Sequence, residues 1–155
     1  MLQTVDNAER ARWMGLLARA PLTVLQAWSQ SDLARRCGTY VWLRRPETGL
    51  MMLRARAGGT GAKFNVGEMT VTRCALRLEE TSSVGVAYVQ GRSARKCEIA
   101  ALADAALQVP ALREEIERDL LEPLRVRHEA EAARMQRKAQ ATRVDFLTVA
   151  RQTAA

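Results

Sequence analysis

Glu47 to Leu78, ETGLMMLRARAGGTGAKFNVGEMTVTRCALRL, is the stretch on which the reading of the chain turns. Two apolar, strand-like runs flank a loop that carries Gly58, Gly59, Gly61 and Lys63. Arg54 and Arg56 precede the loop, and Arg73 and Arg77 follow it. A glycine-rich turn lets backbone N–H groups converge, and arginine adds a planar fork of donors, so the set suits phosphate-type oxygens. An ordinary hairpin with solvated edges has the same composition.

Working outward, Leu50 to Ala57 reads as a strand in which Met51, Leu53, Ala55 and Ala57 alternate with Met52, Arg54 and Arg56. Gly67 to Leu78 reads as another. Its apolar parity changes between Met69 and Val71 on one side and Cys74, Leu76 and Leu78 on the other, which implies a bulge near Thr72–Arg73 or a strand apolar on both faces. Upstream, Thr39 to Arg45 has strand-forming Tyr40, Val41 and Trp42, and Pro46-Glu47-Thr48-Gly49 reads as a turn. Downstream, Gly85 to Gln90 follows a polar turn at Thr81-Ser82-Ser83. The expectation is an α+β fold with an antiparallel four-stranded meander.

Helices are expected on both sides of that sheet. Residues 6–20 place Ala8, Trp13, Leu16, Leu17 and Ala20 at helical spacing, and Pro21 opens a second helix over about 22–36. Ser93 can cap a helix running to Gln108, and Pro110 starts another with Leu112, Ile116, Leu120, Leu121 and Leu124 as its stripe. Pro123 is expected to kink or break it. From Arg125 to Arg143 the chain is Ala-rich and charged, with Val126 and Met135 as its large apolar residues. Apolar character returns at Arg143, Val144, Asp145 and Phe146. Residues 1–155 are read as one domain, with the charged helix and apolar tail of 125–155 docking on a partner. The competing reading folds the tail back on its own sheet.

The 155 residues carry a net charge of +7, and residues 1–91 hold 12 basic against 7 acidic side chains. The excess therefore lies in the half with the glycine loop and favours acidic partners. No run is apolar and long enough for a transmembrane helix, and MLQTVDNAERARW has no apolar core of a signal peptide, so a cytoplasmic protein is expected. Cys37, Cys74 and Cys97 form no CxxC pair, which speaks against a disulfide framework or structural zinc.

Motif tests are mostly negative. In Gly58-Gly59-Thr60-Gly61-Ala62-Lys63, Ala62 stands where a phosphate-binding P-loop needs Gly, and Phe64 where it needs Ser or Thr. Phe64 also occupies the third glycine position of a dinucleotide fingerprint. His128-Glu129 opens like a zinc-protease helix, but residue 132 is Ala, and His128 is the one histidine. No nucleophile sits beside a base. A nucleic-acid-binding module is the alternative that the charge supports, but Trp13, Trp28, Tyr40, Trp42 and Tyr88 fall in apolar patterns rather than among basic residues. The candidate phosphate-ligand or interface residues are thus Arg54, Arg56, Gly58, Gly59, Gly61, Lys63, Arg73 and Arg92. Arg143, Val144, Asp145 and Phe146 are the candidate partner anchor. No metal site and no catalytic residue is identified.

The 47–78 stretch, Tyr88-Val89-Gln90-Gly91-Arg92 and Thr142-Arg143-Val144-Asp145-Phe146 together resemble the PhnG subunit family of the carbon–phosphorus lyase core complex. The match is collinear and includes Arg12-Trp13-Met14 and Glu122-Pro123-Leu124. Ser93 and Lys96 depart from the acidic residue and histidine expected after Gly91-Arg92, and Leu147 and Gln152 depart in the tail. Those departures weaken any catalytic role for the helix start at Ser93. The resemblance implies a bacterial cytoplasmic subunit of a two-fold complex with H, I and J types. That complex makes alpha-D-ribose 1-methylphosphonate 5-triphosphate from ATP and methylphosphonate and releases adenine. It implies that the I subunit carries the nucleoside-cleaving chemistry and the J subunit the later radical step. It assigns the G subunit no cofactor, and the chain is expected to be a non-catalytic or co-catalytic subunit with no membrane or nucleic-acid partner. This fits the lack of a self-contained active site in the residues.

Overall fold

The computed structural model describes residues 6–56 and 61–142. Asp6 caps α1 (Asn7–Arg19) by accepting from the Ala8 N–H. Pro21 opens α2 (Leu22–Ser29). The expected helix over 22–36 is interrupted there. Ser31 accepts from the Ala34 N–H at 3.2 Å and donates to the Trp28 carbonyl at 2.6 Å, and so starts the short α3 (Asp32–Arg35). Hydroxyl-to-backbone bonds of this kind compete with continuation of a helix.

The sheet has three strands, not four: β1 (Tyr40–Ala55), β2 (Phe64–Leu78) and β3 (Val84–Gln90), antiparallel in the order β1-β2-β3. The expected turn at Pro46–Gly49 lies inside β1, so the two expected strands on either side of it are one 16-residue strand. Both halves of β1 need a pairing partner, and β2 is long enough to serve both. β1 is an edge strand, so Pro46, which has no N–H, interrupts no central ladder. Register shifts between Trp42 and Arg44 and between Arg44 and Glu47 absorb the irregular residues. Beyond them the pairing resumes as Glu47 opposite Arg73 and Thr48 opposite Thr72, whose hydroxyls lie 3.1 Å apart. The parity change expected in β2 has the same origin. β2 pairs with β3 without a break from Val71 to Arg77, and the irregularity sits on β1 opposite. Thr72, Cys74, Leu76 and Leu78 are buried toward the helices, and Val71 is buried on the other face.

α4 (Ala94–Leu107) crosses β2 and β3 and forms the centre of the core. Its small side chains, among them buried Ala100, Ala101, Ala103 and Ala105, let its backbone approach the sheet closely. The approach is tightest at Gly85 of β3, where an added Cβ would lie 1.9 Å from the Ala101 carbonyl oxygen. On the far side of the crossing the Tyr40 hydroxyl donates to Glu98 Oε1 at 2.6 Å and packs edge-on against Trp42. Burial, reinforced by that bond, pushes the Tyr40 phenol up to about 12.

Asp104 of α4 is 1% exposed, yet its carboxylate accepts four hydrogen bonds. Arg10 donates through Nε at 3.1 Å and Nη2 at 2.7 Å, Trp13 Nε1 at 2.8 Å and the Val86 N–H at 2.9 Å. Arg10 Nη2 and Gln108 Nε2 both also donate to the Val84 carbonyl. One carboxylate thus joins α1, α4 and the outer edge of β3.

Pro110 begins α5 (Pro110–Ile116), which widens into a π-helical turn (Glu117–Leu121) and continues as α6 (Glu122–Ala141). Of the kink or break expected at Pro123, the helix shows no break, and its distortion is the π-helical turn just ahead of the proline. The wide turn lies where the proline ring would crowd the carbonyl of Asp119 and where its missing N–H would leave a gap in the ladder, so the helix passes Pro123 without ending. Leu124 is the last buried residue of α6, and everything from Arg125 to Thr142 is exposed.

Two predictions follow from the packing. Gly85→Ala drives a methyl group into the backbone of α4 and is expected to cost about 3 kcal/mol or more in urea unfolding. Gly67→Ala, on the open face of β2 with no atom within 4 Å, should leave the midpoint nearly unchanged. Asp104→Ala strips Arg10, Trp13 and Val86 of their shared acceptor and should lower stability by about 3–5 kcal/mol, measured by the same unfolding curves.

Candidate functional site

Beyond the part of the sheet that α4 covers, β1 and β2 continue together as a two-stranded arm. Every described residue from Leu50 to Arg56 and from Gly61 to Glu68 is exposed. At about 3.4 Å per residue the arm reaches about 20 Å from the body. Its surface is apolar rather than polar: Leu50 is 66% exposed, Val66 56%, Phe64 51% and Met52 50%. Leu50, Met51, Met52 and Leu53 are consecutive, and alternate side chains in a strand point to opposite faces, so both faces of the arm are apolar.

The sequence-derived candidates do not converge on one point. Arg54, Arg56, Gly61 and Lys63 lie at the tip of the arm, and Gly58 and Gly59 lie outside the described residues. Arg56 Nη1 donates to the Gly61 carbonyl at 3.2 Å, so at this point the loop offers an acceptor to the arginine. Arg73 lies eight residues along β2 from Asn65, the partner of Arg54, a separation of about 27 Å. Its Nε donates to Glu47 Oε1 at 2.7 Å, and Arg44 Nη1 donates to the same oxygen at 3.0 Å. The Arg73 hydrogen bond, helped by both positive charges, holds the Glu47 carboxyl below the usual carboxylate range. Arg73 is therefore engaged within the chain, pinning the second half of β1 to β2. Arg92 is exposed at the end of β3, next to Gly91, whose N–H donates to the Thr70 carbonyl. The anchor residues Arg143, Val144, Asp145 and Phe146 lie outside the described residues.

At the base of the arm lies a cleft of about 840 Å³ between the sheet, the end of α1 and the exposed stretch of α6. Met51, Met69, Val71 and Tyr88 form its apolar floor. Arg19, Lys96, Arg127 and His128 stand around it, with Glu131 as its one carboxylate. Burial pulls the Lys96 ammonium below the usual lysine range. Lys96, which sits where the PhnG resemblance led to expect a histidine, thus enters the cleft wall. The sequence reading missed this cleft, since its charges come from three separate helices. A usable signal for the arm was present: four consecutive large apolar residues, Leu50 to Leu53, do not alternate as a one-faced strand would.

Among the described residues no group of three His, Cys, Asp or Glu comes together as a metal-binding set. No helix among them is long and apolar enough to cross a membrane. Cys74 and Cys97 are buried in the core with their sulfurs 3.3 Å apart, away from the arm and the cleft.

The family profile described as "Phosphonate metabolism protein PhnG" matches residues 8–152. The alpha-D-ribose 1-methylphosphonate 5-triphosphate synthase subunit PhnG of Rhizobium meliloti (strain 1021) is 41% identical over 145 residues, covering 93% of this chain and 90% of that one. The matched span includes both strands of the arm, the Asp104 network and the whole of α6, and on this agreement the chain belongs to the PhnG family of phosphonate metabolism proteins.

Proposed function

We propose that this chain is the G-type subunit of an alpha-D-ribose 1-methylphosphonate 5-triphosphate synthase, the assembly for which its Rhizobium meliloti relative is named. In this reading it works in organic phosphonate catabolism in the cytoplasm, beside H-, I- and J-type subunits. ATP and methylphosphonate are substrates of the whole complex, which releases adenine. The chain brings no cofactor and no complete active site of its own. Its part is to hold partners in register.

The observation that carries this reading is the apolar arm. A two-stranded ribbon is marginal in water when no layer packs against it. Here both faces present large aliphatic and aromatic side chains, and contiguous exposed apolar surface of this kind marks a protein interface. The solvated length of α6, about 27 Å from Leu124 to Ala141, adds a second projection with little of its own to bury. Arg54, Arg56 and Lys63 at the arm tip are carried into the partner, where they serve as interface or phosphate contacts.

Leu50→Glu combined with Phe64→Glu places charge on the arm without touching the core. This variant is expected to keep the native melting curve of the body. It should co-purify with H-, I- and J-type subunits at least tenfold less than the native chain when all four are co-expressed. Unchanged assembly would remove the arm from the interface. In the assembled complex, Arg73→Met should leave turnover within about twofold, since Glu47 already occupies its guanidinium group, whereas Arg54→Met with Arg56→Met should lower assembly or turnover by tenfold or more. A tenfold loss in the Arg73 variant would instead place that residue at the ligand.

A further inference from the structure

The cleft at the base of the arm has a chemistry of its own, different from that of the arm. Its floor is apolar and its wall is cationic: Arg19 comes from the end of α1, Lys96 from the first turn of α4 and Arg127 from α6. Among the described residues none of the three takes part in an ion pair or a side-chain hydrogen bond with a carboxylate, while Glu131 is the one acidic residue in the wall. Positive charges that line one cleft with a single carboxylate among them repel one another, and an anionic occupant relieves that repulsion.

We infer that the cleft receives an acidic, apolar segment of a partner subunit, whose carboxylates meet Arg19, Lys96 and Arg127 while an apolar side chain enters between Met69, Val71 and Tyr88. The inference rests on the subunit reading above and adds to it the chemistry of the partner. Charge complementarity selects this occupant over the others. Residues 143–155 of the chain itself hold two arginines and one aspartate, and a second copy brings a net charge of +7, so both carry the wrong sign. A small phosphate ligand would satisfy the cations but leave the apolar floor exposed. Partial burial of Lys96 without a carboxylate points the same way, because a desolvated ammonium gains most from a fixed anion.

The test is co-expression of the tagged full chain with H-, I- and J-type subunits. The charge-reversed variant R19E/K96E/R127E is expected to retain the native melting curve and to capture partner subunits at least tenfold less, while R19K/K96R/R127K captures them normally. R127E alone lies on a solvated stretch of helix, so it tests the same point without risk to folding, and a loss of threefold or more is expected. Native recovery of the complex with folded R127E and the triple reversal overturns the inference and leaves the subunit reading standing. Failure of the native chain to join any subunit overturns both. Micromolar binding of inorganic triphosphate to the native chain that the triple reversal abolishes, with assembly unaffected, would assign the cleft to a small phosphate ligand and also overturn it.

Discussion

The Asp104 carboxylate is the constraint on which the body of this protein depends. A buried charge is costly unless its lone pairs are filled, and here four donors from α1 and β3 fill them. The same contacts close the outer edge of β3. The Val86 N–H, which would otherwise face water or another strand, is bound to Asp104, and the Val84 carbonyl is held by Arg10 and Gln108. The network therefore sets the depth at which α4 lies, and Gly85 is the point on β3 that permits that depth. Without the carboxylate, α1 would keep only the Arg10–Val84 bond as its polar attachment to the sheet, and the freed Val86 N–H would open an edge strand to pairing with other chains.

The opposite edge of the sheet is treated differently. β1 runs for 16 residues, and among the described residues no strand pairs with its outer side. Its near half is tied to the body through Tyr40 and Trp42, and its far half leaves the body altogether. The protein thus separates a self-sufficient core, dense in alanine and leucine around α4, from two projections that bury little by themselves. The cost of exposing apolar surface on the arm is tolerable where a partner covers it. The same surface would be a liability for a free monomer.

Much of the secondary structure was legible in the sequence because it rests on local chemistry. Ser93 and Pro110 mark helix starts by a side-chain cap and a fixed φ, and the apolar spacing of Trp13 and Leu17 gives the buried face of α1. The readings that failed did so where a local signal met a tertiary opportunity. Pro46-Glu47-Thr48-Gly49 has turn composition, but a long partner strand and the Glu47–Arg73 pair keep it extended. Pro123 distorts its helix rather than ending it, because a π-turn ahead of it makes room for the ring. Ser31 ends the helix expected over 22–36, because its hydroxyl finds backbone partners on both sides.

By itself the sequence determined the α+β class and the family, since propensity, capping and motif content are properties of neighbouring residues. It also placed Arg54, Arg56 and Lys63 beside one another, as residues joined through a single loop must be. Tertiary structure alone decided the number of strands, the separation of Arg73 from the arm tip, and the meeting of Arg19, Lys96 and Arg127 around one cleft. Those outcomes depend on pairing register and on how three helices pack. Register and packing are set by contacts between residues far apart in the chain, which no local pattern encodes.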